Sequence, residues 1–195
     1  MSMYEAKVKK LITVGIPSYN YINTECVLSL MEMQARNRLP LYFFFNQGLY
    51  IDHNRNQIVD VAINNGSSHL MFIDSDMKFP YDGLEKLLED DKDIVGGYYN
   101  SRRGNCIVKV WEGDKLVAPE PIPDELFQVG VLPTGFMLIK LSCLEKLKRP
   151  YFQVITSEKG TIGEDVSFCY KAKEAGIEVW CDGGLRLGHV GKKIY

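Results

Sequence analysis

The chain has no long apolar run, no Cys-x-x-Cys pair, no segment rich in Pro, Gly or Ser, and no surplus of either charge. A helix that crosses a bilayer needs roughly 20 consecutive apolar residues. No segment approaches that length, so any membrane association is expected to be peripheral. The five cysteines, Cys26, Cys106, Cys143, Cys169 and Cys181, are odd in number and widely spaced. That spacing argues against a disulfide framework and against a zinc site, and points to a reducing, cytoplasmic setting. Lys and Arg total 23 against 25 Asp and Glu, and a net charge of −2 supplies no field that would draw in nucleic acid. Lys7 to Lys10 ahead of residues 11–16 imitate a signal peptide, but the apolar run is short, ends at Pro17 and lacks a small-residue cleavage site. It reads instead as the first strand.

What the chain does have is a rhythm. Its 195 residues suffice for one substantial core, and no linker divides them, so a single domain over residues 1–195 is expected. Residues 11–16 form a β-branched run, followed after Thr24 by Val27, Leu30 and Met31 at helical spacing. Residues 41–45 are too continuously apolar to be half exposed and predict a buried strand, with a second helix taking shape at Ile58, Val61 and Ala62. Residues 69–73 make a third strand, and Asp82 caps a short helix carrying Leu84, Leu87 and Leu88. Strand and helix alternating in this way imply an α/β fold with a parallel sheet flanked by helices. Beyond Asp93 strands predominate, at residues 94–99, 106–111, 116–118 and 136–140, so this part is expected to be mixed or antiparallel. Two helices, near residues 142–148 and 164–175, precede a strand at residues 177–181, with Gly176 in the left-handed capping position.

The chemistry-bearing residues gather at the ends of these elements. Asp74 and Asp76 follow the third strand, where open α/β sheets place ligands. Strand alternation would send both carboxylates to one side and Ser75 to the other. Two carboxylates aimed together call for a cation, although Asp-Ser-Asp also suits a simple Asx-turn. A hard ion held by carboxylate oxygens and one imidazole fits Mn²⁺ or Mg²⁺ better than zinc, and His189, set between Gly188 and Gly191, is the candidate third ligand. Glu164 and Asp165 open a late helix; they either complement its dipole or supply a general base, Asp165 before Glu164. Arg55 is expected in the loop or first turn of the second helix, where an arginine can hold a diphosphate. The segments 133–136 and 96–99 set small residues beside aromatics, which suits a sugar pocket and ordinary turns equally.

In order along the chain, Ile12-Thr13-Val14-Gly15-Ile16-Pro17-Ser18-Tyr19-Asn20, Arg55-Asn56, Phe72-Ile73-Asp74-Ser75-Asp76, Thr134-Gly135-Phe136, Gly163-Glu164-Asp165 and Gly188-His189 resemble the GT-A glycosyltransferases, especially small family-2-like enzymes. The resemblance implies a Rossmann-like nucleotide-diphospho-sugar transferase fold, mostly parallel with a small antiparallel part. Its nucleotide-binding half would span about residues 1–100 and its acceptor and catalytic half about 101–195. It implies that Pro17, Ser18 and Tyr19 line the nucleotide pocket and that Arg55 touches the diphosphate. Asp76 would bind metal directly, Asp74 would contact ribose or metal-bound water beside Ser75, His189 would complete the metal site, and Asp165 would be the catalytic base. The expected reaction is metal-dependent transfer, with inversion, from a UDP-sugar to a hydroxyl of a glycan, lipid or protein acceptor. Where relatives often carry an Asp at the end of the second strand to read uracil, this chain has Asn46, with Asp52 following. Three rivals share some of these features: a phosphatase-like hydrolase using an aspartyl nucleophile, a sugar nucleotidyltransferase, and a sugar-binding module without turnover.

Overall fold

The computed structural model describes residues 11–101, 104–158 and 160–191, so the basic segment at Lys7 to Lys10 lies outside the described residues. The first half runs β1 (Ile12–Ser18), α1 (Thr24–Arg36), β2 (Leu41–Gln47), α2 (Ile51–Asn64), β3 (His69–Ile73), β4 (Met77–Lys78), α3 (Gly83–Glu89) and β5 (Ile94–Tyr98). The second half adds β6 (Val110–Glu112), β7 (Lys115–Val117), β8 (Leu126–Val129) and β9 (Phe136–Lys140), then a 3-10 helix over Leu141–Lys146. It closes with β10 (Ile155–Ser157), β11 (Gly160–Ile162), α4 (Glu164–Glu174), β12 (Val179–Arg186) and β13 (Gly188–His189).

The fold is mixed α/β around one seven-stranded sheet, ordered β2-β1-β3-β9-β5-β12-β8. Strands β2, β1, β3, β5 and β12 point the same way, while β9 runs against both of its neighbours and β8 against β12. Alternation along the strands builds a core on each face. In β3, Leu70 and Phe72 join a cluster with Ile58, Val59 and Ala62 of α2 and Phe168 and Ala172 of α4. Met71 and Ile73 point the other way, to Cys26, Leu30 and Met33 of α1 and Leu84 and Leu87 of α3. All four β3 side chains have no exposed surface, and each such aliphatic or aromatic group contributes about 1.5–3 kcal/mol on burial.

Several local expectations differ from what folds. β2 is an edge strand with no buried residue, and Tyr42 and Phe45 are 44% and 50% exposed; among the described residues no strand pairs with its outer side. α1 buries Cys26, Ser29, Leu30 and Met33, which turns Val27 and Met31 to solvent. α2 begins at Ile51, so Arg55 sits in its second turn rather than at its start. The segment after β9 closes as a 3-10 helix, and β8, β10 and β11 carry no strand signal strong enough to be anticipated. Gly176 does adopt the left-handed cap, at φ +71°.

A strap from Arg149 to Val154 is stitched to one face of α2. Arg149 pairs with Asp60. Asn56 donates to the Phe152 carbonyl at 2.7 Å and accepts from the Tyr151 amide at 2.9 Å. Asp52 accepts from the Val154 amide at 3.3 Å. These three helix positions are spaced four residues apart and so share a face, and Ser167 ties the strap to α4 by donating to the Gln153 carbonyl at 2.6 Å.

Candidate functional site

The site lies where β1 and β3 end. Because β9 runs against β3, its start arrives at the same edge: Ile73 pairs with Phe136, and the Asp74 amide donates to the Gly135 carbonyl at 2.9 Å. The strand stops at Ile73 and residues 74–76 turn, with the Met77 amide donating to the Asp74 carbonyl at 3.1 Å. Strand alternation therefore does not govern these side chains, and the two carboxylates find different partners. A cavity of about 200 Å³ opens there, lined by Pro17, Ser18 and Tyr19 from the end of β1 and by Asp74, Ser75 and Asp76. A larger cavity of about 520 Å³ lies at the opposite end of the strands, against Ser67, His69 and Lys140, away from all of these groups.

Arg55 is not the accessible cation the sequence suggested. It is 2% exposed, on the stripe of α2 that also carries Ile58, Val59 and Ala62. Its Nη2 donates to Asp74 Oδ1 at 2.9 Å and its Nε to Glu164 Oε1 at 3.1 Å. Burial alone would lower the guanidinium pKa; the carboxylates of Asp74 and Glu164 override that and raise it. Among the described residues Nη1 has no hydrogen-bond partner. The arginine thus bolts the turn after β3 to the head of α4, and it occupies Oδ1 of Asp74, one of the two oxygens of that expected ligand.

Asp76 meets His189. The short pair β4–β13 sets His189 opposite Met77, and the Val190 amide donates to the Asp76 carbonyl at 2.8 Å. Through that pairing His189 Nε2 lies 3.2 Å from Asp76 Oδ2, while Nδ1 lies 3.2 Å from the Asn100 carbonyl oxygen. Both ring nitrogens face oxygen acceptors, yet a neutral imidazole has one ring proton. The tautomer therefore decides which of the two contacts, to Asp76 or to Asn100, is the hydrogen bond. A separation of 3.2 Å is that of an ordinary histidine–carboxylate hydrogen bond, and it also leaves the two side chains close enough to share a hard ion. A ligating histidine that gives its other N–H to a backbone carbonyl is also the usual outer-sphere pattern. Among the described residues there is no group of three or more His, Cys, Asp or Glu side chains placed to hold a metal; two of the three expected donors are together and the third is held by Arg55.

Asp165 stands half-buried at the head of α4, where Oδ1 accepts from the Val166 amide at 2.7 Å. Burial, reinforced by the charge of Glu164, pushes its carboxyl pKa up from the ordinary 3.8. A helix amino terminus by itself favours the ionised carboxylate, and desolvation outweighs it here. Asp165 also feels Arg55 and Asp74 electrostatically, so the acids of α4 and of the β3 turn belong to one cluster.

Tyr99, from the segment 96–99 already noted for its aromatics, contributes to the site, as does the Asn100 carbonyl, which nothing in the sequence marks. The Tyr99 hydroxyl accepts from the Gly135 amide at 3.1 Å, and its ring meets the His189 ring edge-on at 5.3 Å. A Cβ at Gly135 would lie 2.1 Å from that hydroxyl, so glycine is what admits the ring. Burial and the nearby Asp74 charge push the phenol pKa well above 10, which keeps it neutral. Asn46 turns toward α2, donating to Gln57 Oε1 at 2.8 Å, and Asp52 is engaged by the strap.

No family model matches this chain, and no curated protein matches it by sequence. Its likeness is to solved structures. The A197 protein from STIV superposes with a TM-score of 0.65 at 22% identity, covering 93% of this chain and 86% of that one. A protein from Desulfovibrio desulfuricans G20, described as a candidate nucleotide-diphospho-sugar transferase, gives a TM-score of 0.50 at 12% identity, covering 91% of this chain and 79% of that one. At these identities the likeness is one of fold.

Proposed function

We propose that this chain is a glycosyltransferase that moves a sugar from a nucleoside diphosphate, UDP in the first instance, to an acceptor hydroxyl. The observation that carries the reading is the Asp76–His189 pair, 3.2 Å apart at the edge of the cavity lined by Pro17, Ser18 and Tyr19. A fold shared with a candidate nucleotide-diphospho-sugar transferase supports it. Pro17, Ser18, Tyr19 and Ser75 line the nucleotide, and Asp76 and His189 hold Mn²⁺ or Mg²⁺. That ion, when bound, neutralises charge on the departing diphosphate.

The chain's own residues divide the remaining work. Asp165 takes the acceptor proton as the hydroxyl oxygen attacks the anomeric carbon on the face opposite the diphosphate, which inverts configuration. A raised pKa makes Asp165 a stronger base than an ordinary aspartate, and a positioned base contributes about 10²- to 10⁴-fold. Glu164 is the counter-ion of Arg55 rather than the base. Arg55 fixes Asp74 and Glu164 relative to one another, and its Nη1 has no hydrogen-bond partner among the described residues. The phosphatase-like alternative needs Asp74 or Asp76 as a nucleophile, and the first is tied to Arg55 while the second faces His189.

The test is calorimetric titration with UDP and GDP, each with Mn²⁺ and with chelator, on the wild type and on Asp76→Ala. Metal-dependent binding of one nucleotide, lost in the variant, is the expected result. Binding of neither nucleotide overturns the reading.

A further inference from the structure

At the far end of α4 from Asp165, the chain gathers positive charge around a second concavity. It has a volume of about 450 Å³ and is lined by Lys146, Lys148 and Arg149, by Lys171 of α4, by the polar Gln153, and by one acid, Glu174. That size falls within the range of sites for small ligands, about 300–1,000 Å³. Lys171 is held in place by donating to the Pro150 carbonyl, and burial lowers its pKa from the ordinary value. Arg149 is steadied by Asp60. The cations come from two separate segments, so the carboxyl end of α4 does not by itself account for them. Four positive groups, less Glu174, less Asp60, less about half a charge for that helix end, leave roughly +1.5. A phosphate monoester carries about −1.5 to −2 at neutral pH. In a chain whose net charge is −2, a concave surplus of this sign is a local feature and not a reflection of composition.

We propose that this basic pocket binds a phosphate group, independently of the donor cleft. The phosphate oxygens lie between the Lys146 and Lys148 amines on one wall and the Lys171 amine on the other, with Gln153 as a neutral hydrogen-bonding partner. The phosphate belongs either to a soluble phosphoester or to a lipid headgroup presented at a membrane surface.

Two probes separate these sources: inorganic phosphate followed by amide chemical shifts, and phosphatidylcholine vesicles with and without phosphatidic acid followed by co-sedimentation. The variants are Lys146→Ser/Lys148→Ser and, as a charge-matched control elsewhere on the surface, Lys86→Ser/Lys115→Ser. Saturable phosphate binding that moves the amides of Leu147, Arg149 and Gln153, weakened at least about tenfold (1.4 kcal/mol) in the pocket variant and unchanged in the control, supports a soluble ligand. Vesicle binding that requires phosphatidic acid and follows the same variant pattern, without free phosphate binding, supports the headgroup. Binding of neither probe, or an equal loss in both variants, overturns the proposal. UDP titration of the pocket variant reads the donor cleft separately and is expected to be unchanged.

Discussion

Asp76 and His189 stand 113 residues apart in sequence and 3.2 Å apart in space. They are joined because a two-residue strand carrying the histidine pairs with the two-residue strand that follows the aspartate. Neither strand is long enough to be stable alone; the Val190 amide bond to Asp76 and the edge contact of His189 with Tyr99 hold the arrangement.

His189→Ala is therefore expected to weaken Mn²⁺-dependent nucleotide binding at least about tenfold, the scale on which shells around a metal act, and to leave metal-free binding nearly unchanged. Calorimetry with and without chelator reads both. Equal loss in the two conditions would show that the histidine acts only on the protein.

Asp165→Asn should lower kcat by about 10²- to 10⁴-fold with nucleotide affinity retained. Its effect on stability has a definite sign. Folding raises the Asp165 pKa above its ordinary 3.8, so the native state binds more protons than the unfolded chain in the window between the two values. The wild type consequently loses stability as pH rises through that window. The asparagine variant escapes the penalty. Its Tm should exceed that of the wild type at neutral pH and converge with it in acid. In the same window wild-type kcat/KM should rise with pH as the base ionises.

Arg55→Met removes the shared cation from two carboxylates of which the less exposed, Glu164, has a side chain 14% accessible. Leaving partly buried acids without their partner is expected to destabilise the fold by about 3 kcal/mol. Adding Glu164→Gln should recover part of the loss, measured by urea denaturation. A double variant no more stable than the single would refute the coupling.

Gly135→Ala drives a methyl against the Tyr99 hydroxyl, and a cost of about 1–3 kcal/mol is expected from such overpacking. The displaced ring should also disturb His189, visible as a changed imidazole resonance in NMR. Glycine at this position is a steric requirement of the tyrosine, so an unchanged Tm would show that Tyr99 has room elsewhere.

Much of the frame was legible because periodicity reports burial. The five residues of β3 are all buried, and the chain around them alternates strand and helix as a layered sheet requires. β2 misled for a physical reason: a continuous apolar run looks the same whether a strand is central or at an edge, and only pairing, which depends on distant residues, tells them apart. Phe44 packs on one core and Leu41 and Phe43 on the other, which explains the run without burying it. Arg55 was misplaced because α2 lacks a side-chain cap at Tyr50, so its start left no local mark. A signal was present all the same: residue 55 is in phase with Ile58, Val59 and Ala62, and a charge on an apolar stripe implies a buried partner. The part played by Asn100 is carried by a backbone carbonyl, which no residue type encodes.

The three stitches of the strap make α2 a ruler. Asp52 to Asp60 spans about 12 Å of helix, while the chain from Arg149 to Val154 reaches at most about 17 Å, so little slack remains. One residue inserted there would slide the β10–β11 hairpin, and the head of α4 behind it, out of step with α2. Length changes should accordingly be tolerated at the exposed β6–β7 turn and poorly tolerated between Arg149 and Val154, where one added residue would reset the reach of Glu164 toward Arg55.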